Sequence, residues 1–213
     1  RSATLVVLDG LGHEEAQRMP TVARMQARGQ CRRTDVGSLP MSRPVYAVLS
    51  TGLEADRGGI RDNDDTSPSP AQSIWQLARA DGMTVAGISE LAWWSELFPA
   101  GFDAFDLHGL STNYFALAPA ADLRLIHPLY IDEAGHEFGA ASPQYIESVA
   151  RADRELGGYL DTLDLTVTGK TTEVFKNWLD TSVSQGARLY VGETYDEIVD
   201  GAVVRRYGAT LTE

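Results

Sequence analysis

The sequence predicts an α/β fold: a mostly parallel sheet with helices on both faces, followed by a small C-terminal α+β segment. Three observations carry that reading. A short apolar run rich in β-branched residues, TLVVL at residues 4–8, stops abruptly at Asp9 and Gly10, as a buried strand running into a loop does. Strand-like and helix-like stretches then alternate, which in a chain of this size favours parallel strands joined by helical crossovers. Beyond residue 164 the alternation gives way to a helical stretch and a hairpin signal.

Taken in order, the strand at residues 4–8 is followed by an irregular stretch bracketed by Pro40 and Pro44. A helix is expected to start after Pro44, whose ring presets φ, with apolar residues from Val45 to Leu49 at helical spacing. SIWQLARA at residues 73–80 reads as an amphipathic helix closed by Asp81 and Gly82, and residues 83–88 as the next strand. Residues 99–119, mixing Gly, Pro, Phe and Asn, read as a loop-rich excursion, after which LRLI at 123–126 resumes as a strand. Residues 143–163 form a long helix on the period of Ile146, Val149, Ala150, Leu156, Leu160 and Leu163. In the last segment 171–185 reads as a helix, and 188–191 and 198–206 as β-rich runs with Asp200-Gly201 as a two-residue hairpin signal. The expected division is therefore 1–164, an α/β core, and 165–213, an α+β segment.

Composition narrows the function. The 213 residues carry a formal net charge of −12, which repels a phosphate backbone, so a nucleic-acid duplex is not the expected partner. No apolar run approaches the roughly 20 residues that span a bilayer, and no basic head with an apolar stretch opens the chain. The single cysteine, Cys31, allows no intramolecular disulfide, and the expected location is cytoplasmic. An opening at Arg1 rather than Met suggests a trimmed chain or a mature fragment, which leaves room for a removed signal sequence.

Four positions attract chemical interest. Asp9 follows the first strand, at the carboxyl end where open α/β sheets bind ligands; a turn-fixing or capping role is the plainer alternative. Ser42 precedes the helix expected from Val45, where it is either a helix cap or a hydroxyl facing unpaired backbone N–H groups that favour a phosphate. Asp132 and His136, four apart around Gly135 in IDEAGHEFG, make half of a zinc site if a glycine-permitted turn brings them together, or an ordinary loop pair if not. His127, before Pro128 at a strand end, suits packing or a hydrogen bond to a ligand residue better than direct ligation. Trp75, Trp93, Trp94, Tyr114 and Phe115 suit core packing better than a leaving-group pocket. The acidic stretch at 62–65 reads as a solvated turn. VTGKTT is not a phosphate loop, because Asp164 stands where the first glycine is required.

Three blocks together resemble the alkaline phosphatase superfamily, in its nucleotide pyrophosphatase and type I phosphodiesterase-like branch. They are LVVLDGLG at 5–12, SLPMSRPVYAVLSTGLEADRGGI at 38–60, and IHPLYIDEAGHEFGAASPQYIESVARAD at 126–153, so the likeness extends over residues 3–163. The resemblance implies that Asp9 ligates one metal of a two-metal site and that Ser42 is the nucleophile touching the same metal. It implies that Asp132 and His136 ligate the other metal and that Asn63 helps hold a phosphoryl oxygen. The implied activity is a metal-dependent phosphoric-ester hydrolase acting on a small phosphate ester or nucleotide with Zn²⁺ or another divalent metal. Two departures stand beside it: the chain has no Asp-His dipeptide where the family carries a DHG motif, and no histidine after His136. They keep open an alternative, a catalytically inactive binding module on the same fold. A sulfatase is disfavoured because SRPVY lacks the arginine of C/S-x-P-x-R, and a mutase because little length remains for its additional domain.

Overall fold

Alternation along the central strands fixes the layers. In the computed structural model, which describes residues 2–27 and 39–163 and the backbone of 194–199 and 202–207, a four-stranded parallel sheet has the order β1-β4-β2-β3. The strands are β1 (Ala3–Val6), β2 (Val85–Ser89), β3 (Ala104–Leu107) and β4 (Leu123–His127). On β2 and β4, Val85, Leu123 and Leu125 face one way, and Ile88 and Ile126 the other. The first set packs with α3 (Ser42–Thr51), α5 (Ile74–Ala80) and α6 (Trp93–Leu97) through Tyr46, Ala47, Trp75, Ala78, Trp94 and Leu97. The second packs with α7 (Tyr114–Leu117), α8 (Tyr130–Phe138) and α9 (Pro143–Asp161) through Tyr114, Ile131, Tyr145, Val149 and Leu156. Two short helices, α1 (His13–Arg18) and α2 (Pro20–Gln26), follow β1, and the single turn α4 (Ala55–Gly58) follows α3.

Several boundaries move for identifiable reasons. Helix α3 begins at Ser42 rather than after Pro44, because the first turn of a helix has no intrahelical acceptor for its N–H groups and tolerates proline. Met41 stands at the N-cap without a side-chain hydrogen bond, so Ser42 does not cap this helix. The stretch 99–119 is not all loop: it holds β3, whose edge position exposes residues at both parities and removes the alternation signal, and the one-turn α7. The segment around Gly135 is a helix and not a turn, since α8 runs through it with Gly135 beside the Tyr145 ring. The helix expected at 73–80 is present, with Ser73 and Gln76 forming a reciprocal capping box. Trp75, Trp94, Tyr114 and Phe115 are core residues, and the 62–65 stretch is a turn in which Asp62 accepts the Asp64 N–H.

In the C-terminal segment β5 (Thr194–Val199) and β6 (Ala202–Tyr207) pair antiparallel with Val199 opposite Ala202, leaving the two residues Asp200 and Gly201 between them. The expected helix at 171–185 and the run at 188–191 lie outside the described residues.

The loop after β1 is fastened from two sides. Tyr145 Oη donates to the Gly10 carbonyl at 2.8 Å and accepts the Gly12 N–H at 2.9 Å. Gly10 has φ +70, and a Cβ there would run into the Asp132 backbone, 2.8 Å from its N atom. Gly10→Ala is therefore expected to destabilise the chain by about 1–3 kcal/mol through backbone strain and to push α8 away from Asp9. Urea denaturation checks it; a change below about 0.5 kcal/mol, as at an indifferent surface site, would contradict it.

Candidate active site

Parallel strands deliver their carboxyl ends to one rim, and the register decides what meets there. Val6 and Ile88 both align with Ile126, and Ser89 aligns with His127, so Asp9, Glu90 and His127 reach the same edge of the sheet. Helix α3 brings Ser42 to that edge from one face, and α8 brings Asp132 from the other.

Asp9 is the hub. Its Oδ1 accepts the Gly10 N–H at 2.9 Å, and its Oδ2 accepts a short hydrogen bond from the Tyr46 hydroxyl. Ser42 stands one turn before Tyr46 on α3, near enough to that hydroxyl to pull its pKa down. Burial, and then the Asp9 charge, push the Tyr46 phenol far above its ordinary range, so it stays protonated and donates. Tyr46 thus stands between Asp9, to which it donates, and Ser42.

Asp132 lies across from Asp9, one fifth exposed, with His136 Nε2 3.5 Å from its Oδ1 one helical turn later. Burial first, and then the charge of Asp9, raise its pKa; His136 opposes that shift. Glu90 adds to the same field: burial and the neighbouring Glu133 raise its pKa, and its Oε2 is buried without a hydrogen-bond partner. The rim is a patch of carboxylates held closer than their charges favour.

Asn63 is exposed and accepts the Arg43 N–H on Oδ1 at 3.0 Å, which leaves its amide N–H groups for another acceptor. Arg43 itself is buried, its Nη1 paired with Glu96 at 2.9 Å and its guanidinium over the Trp93 ring, while Nε and Nη2 have no hydrogen-bond partner among the described residues.

His127 is fully buried, with Nδ1 2.8 Å from Ser89 Oγ and 3.1 Å from Trp94 Nε1. Its Nε2 has no hydrogen-bond partner and lies 3.9 Å from Asp9 Oδ2. Burial lowers its pKa to about 4 against the opposing pull of Asp9, so the ring is neutral near pH 7.

Asp9, Ser42 and Asp132 therefore converge; His136 reaches the group through Asp132, and Asn63 through the first turn of α3. Among the described residues, no group of three or more His, Cys, Asp or Glu side chains is spaced to hold a metal ion. Sequence reasoning did not single out Tyr46 or Glu90. Tyr46 had a readable signal, a hydroxyl-bearing ring about one helical turn after Ser42, whereas Glu90 had none before strand register was known.

No family model matches the chain, and no curated protein matches its sequence. Solved structures do. The chain is similar to murine ectonucleotide pyrophosphatase/phosphodiesterase 5, with TM-score 0.58 at 18% identity over 76% of this chain and 52% of that one. Its human counterpart gives TM-score 0.57 at 20% identity over 76% and 52%. Phosphonoacetate hydrolase from Sinorhizobium meliloti 1021, in complex with phosphonoacetate, gives 0.57 at 19% identity over 76% and 54%. An inactive variant of the murine protein is solved in complex with AMP and covers 84% of this chain at TM-score 0.55. The chain spans about half the length of these structures. Among the described residues no helix is long and apolar enough to cross a membrane. At such identities the likeness concerns architecture: the parallel sheet with its flanking helices is an α/β fold that this chain shares with these solved structures.

Proposed function

We propose that this chain carries the nucleophile half of a metal-dependent phosphoric-ester hydrolase site, with Ser42 as nucleophile and a small phosphate ester or nucleotide as substrate. One observation carries the reading: Ser42, Asp9 and Asp132 converge at the sheet rim, where the local charge is negative. A phosphate approaching Ser42 meets two carboxylates, so binding requires cations between them. The donor chemistry suits such ions: Asp9 and Ser42 offer oxygens on one side, and Asp132 and His136 an oxygen and an imidazole nitrogen on the other, the set that Zn²⁺ or another divalent metal accepts. Residues 1–164 form the unit that holds this site. The murine relative bound to AMP and the bacterial one bound to phosphonoacetate support a phosphorus-containing substrate.

Within this reading, Ser42 Oγ attacks phosphorus in line with the leaving oxygen and forms a phosphoserine, which water then hydrolyses. The Ser42 proton has an acceptor in Tyr46, which donates in turn to Asp9. Asn63, its Oδ1 engaged by Arg43, turns its amide N–H groups to a phosphoryl oxygen. Bound divalent cations would supply the charge that clamps the phosphoryl oxygens and stabilises the leaving group. The alternative, an inactive binding module, draws on the two donors available per cation among the described residues.

Three outcomes are expected. Ser42→Ala lowers metal-supported hydrolysis of an aryl phosphate ester at least about a hundredfold, the scale of losing one member of a catalytic set; equal turnover without Ser42 removes it as nucleophile, and no turnover by either form favours the inactive module. Zn²⁺ or Mn²⁺ relieves the Asp9–Asp132 repulsion and raises the melting temperature, corresponding to about 2.7 kcal/mol at one hundred times Kd. Asp132→Asn largely abolishes that shift, read by calorimetric melting with and without chelator.

The third concerns acid. Because the His127 pKa is lowered in the folded chain, its contribution to stability is complete above the unfolded value of 6.5 and is lost as pH falls toward about 4. Denaturation of the metal-free protein between pH 7.5 and 4 therefore gives a stability advantage over His127→Leu that shrinks by at most about 1.4 kcal/mol per pH unit in that window. An advantage that grows on acidification would mean a protonated, ion-paired histidine.

A further inference from the structure

The ring of His127 carries information that its buried position alone does not. Trp94 Nε1–H is a donor and nothing else, and it points at His127 Nδ1 from 3.1 Å. Nδ1 must therefore be the acceptor nitrogen, and in a neutral imidazole the proton then sits on Nε2. Ser89 agrees with this: its Oγ accepts the Leu91 N–H at 3.2 Å and lies 2.8 Å from Nδ1, free to donate its own hydrogen there. The ring is packed against aromatic neighbours: Tyr46 stacks on Trp94 at 4.4 Å and meets the His127 ring edge-on at 4.8 Å. The result is a buried N–H at Nε2 with no acceptor in hydrogen-bond range and Asp9 Oδ2 the charged oxygen facing it at 3.9 Å.

An unpaired buried N–H costs about 1–3 kcal/mol. Here it stands beside the same oxygen that the Tyr46 hydroxyl already occupies. Resting on the metal-assisted reading above, we infer that His127 is a positioning residue for Asp9, its Nε2–H fixed by Trp94 to hold Oδ2 in the cation-loaded site. The tautomer also excludes the other obvious role: Nε2 cannot ligate a metal while it bears a proton, and moving the proton to Nδ1 sets it against the Trp94 N–H.

The test uses the full chain labelled with ¹⁵N, without metal and then with Zn²⁺ as the probe. Long-range ¹H–¹⁵N spectra are expected to show His127 protonated on Nε2 in both states, with the Nε2–H resonance moving downfield as Zn²⁺ binds. Trp94→Phe, which keeps a ring against Tyr46 but removes the donor, is expected to populate the Nδ1–H form and to weaken Zn²⁺ binding about tenfold. His127→Leu weakens it to a similar degree, whereas His127→Gln, whose amide supplies an N–H near the lost one, retains more of the affinity. A proton on Nδ1, Zn²⁺ bound directly to Nε2, or unchanged affinity in His127→Leu would each overturn the inference while leaving the metal-assisted reading standing. Absence of any Zn²⁺ binding by the unsubstituted chain would overturn both. Because the tautomer is read in that unsubstituted chain, a variant that fails to fold does not block the result.

Discussion

The carboxylate of Asp9 is the constraint around which the rim is organised. It stands at the end of β1, one fifth exposed, and each neighbouring element spends a group on it: a backbone N–H from Gly10, a phenol from α3, and an imidazole from β4 nearby. A charged group this enclosed is tolerated only when hydrogen bonds replace the water it has lost. Those donors also decide the surroundings. Tyr46 must be buried to reach Asp9, so it stacks on Trp94, and Trp94 in turn directs His127. Polar placement at the rim and aromatic packing beneath it are thus a single arrangement.

The electrostatic consequence is an incomplete balance. Asp132 and Glu90 sit with raised pKa values beside further carboxylates, while the nearby buried cation, Arg43, is committed to Glu96. Such an arrangement is unfavourable for an empty site and favourable for one that receives positive charge, which is the direction of strain seen where sites are prepared for a ligand. On the reading proposed above, a divalent ion bound there would relieve that repulsion.

Much of this was legible in the sequence, and the remainder fails for physical reasons. Residues 4–8, 83–88 and 123–126 announced strands because central parallel strands are apolar on both faces, and the long period of α9 announced a helix. β3 left no such signal because an edge strand with residues 104, 106 and 107 exposed has no burial pattern to impose on sequence. Gly135 suggested a turn because glycine is disfavoured in helices, but that propensity is worth only about 1 kcal/mol, and α8 runs through it beside the Tyr145 ring. Asp9, Ser42 and Asp132 were legible as residues of interest, yet their convergence depends on register and helix placement. Tyr46 and His127 acquire meaning only from what surrounds them: a tyrosine in an apolar helix and a histidine before proline each have many uses.

Tyr145 gives the architecture a mechanical property. One hydroxyl in the first turn of α9 grips both the carbonyl and the amide of the loop that carries Asp9, while its ring abuts the glycine one helical turn from Asp132. The two acidic sides of the rim therefore hang from the same peg. Loosening it would not loosen the two sides one at a time; the rim would lose its shape as a unit, and motions of α9 would be transmitted to both sides at once.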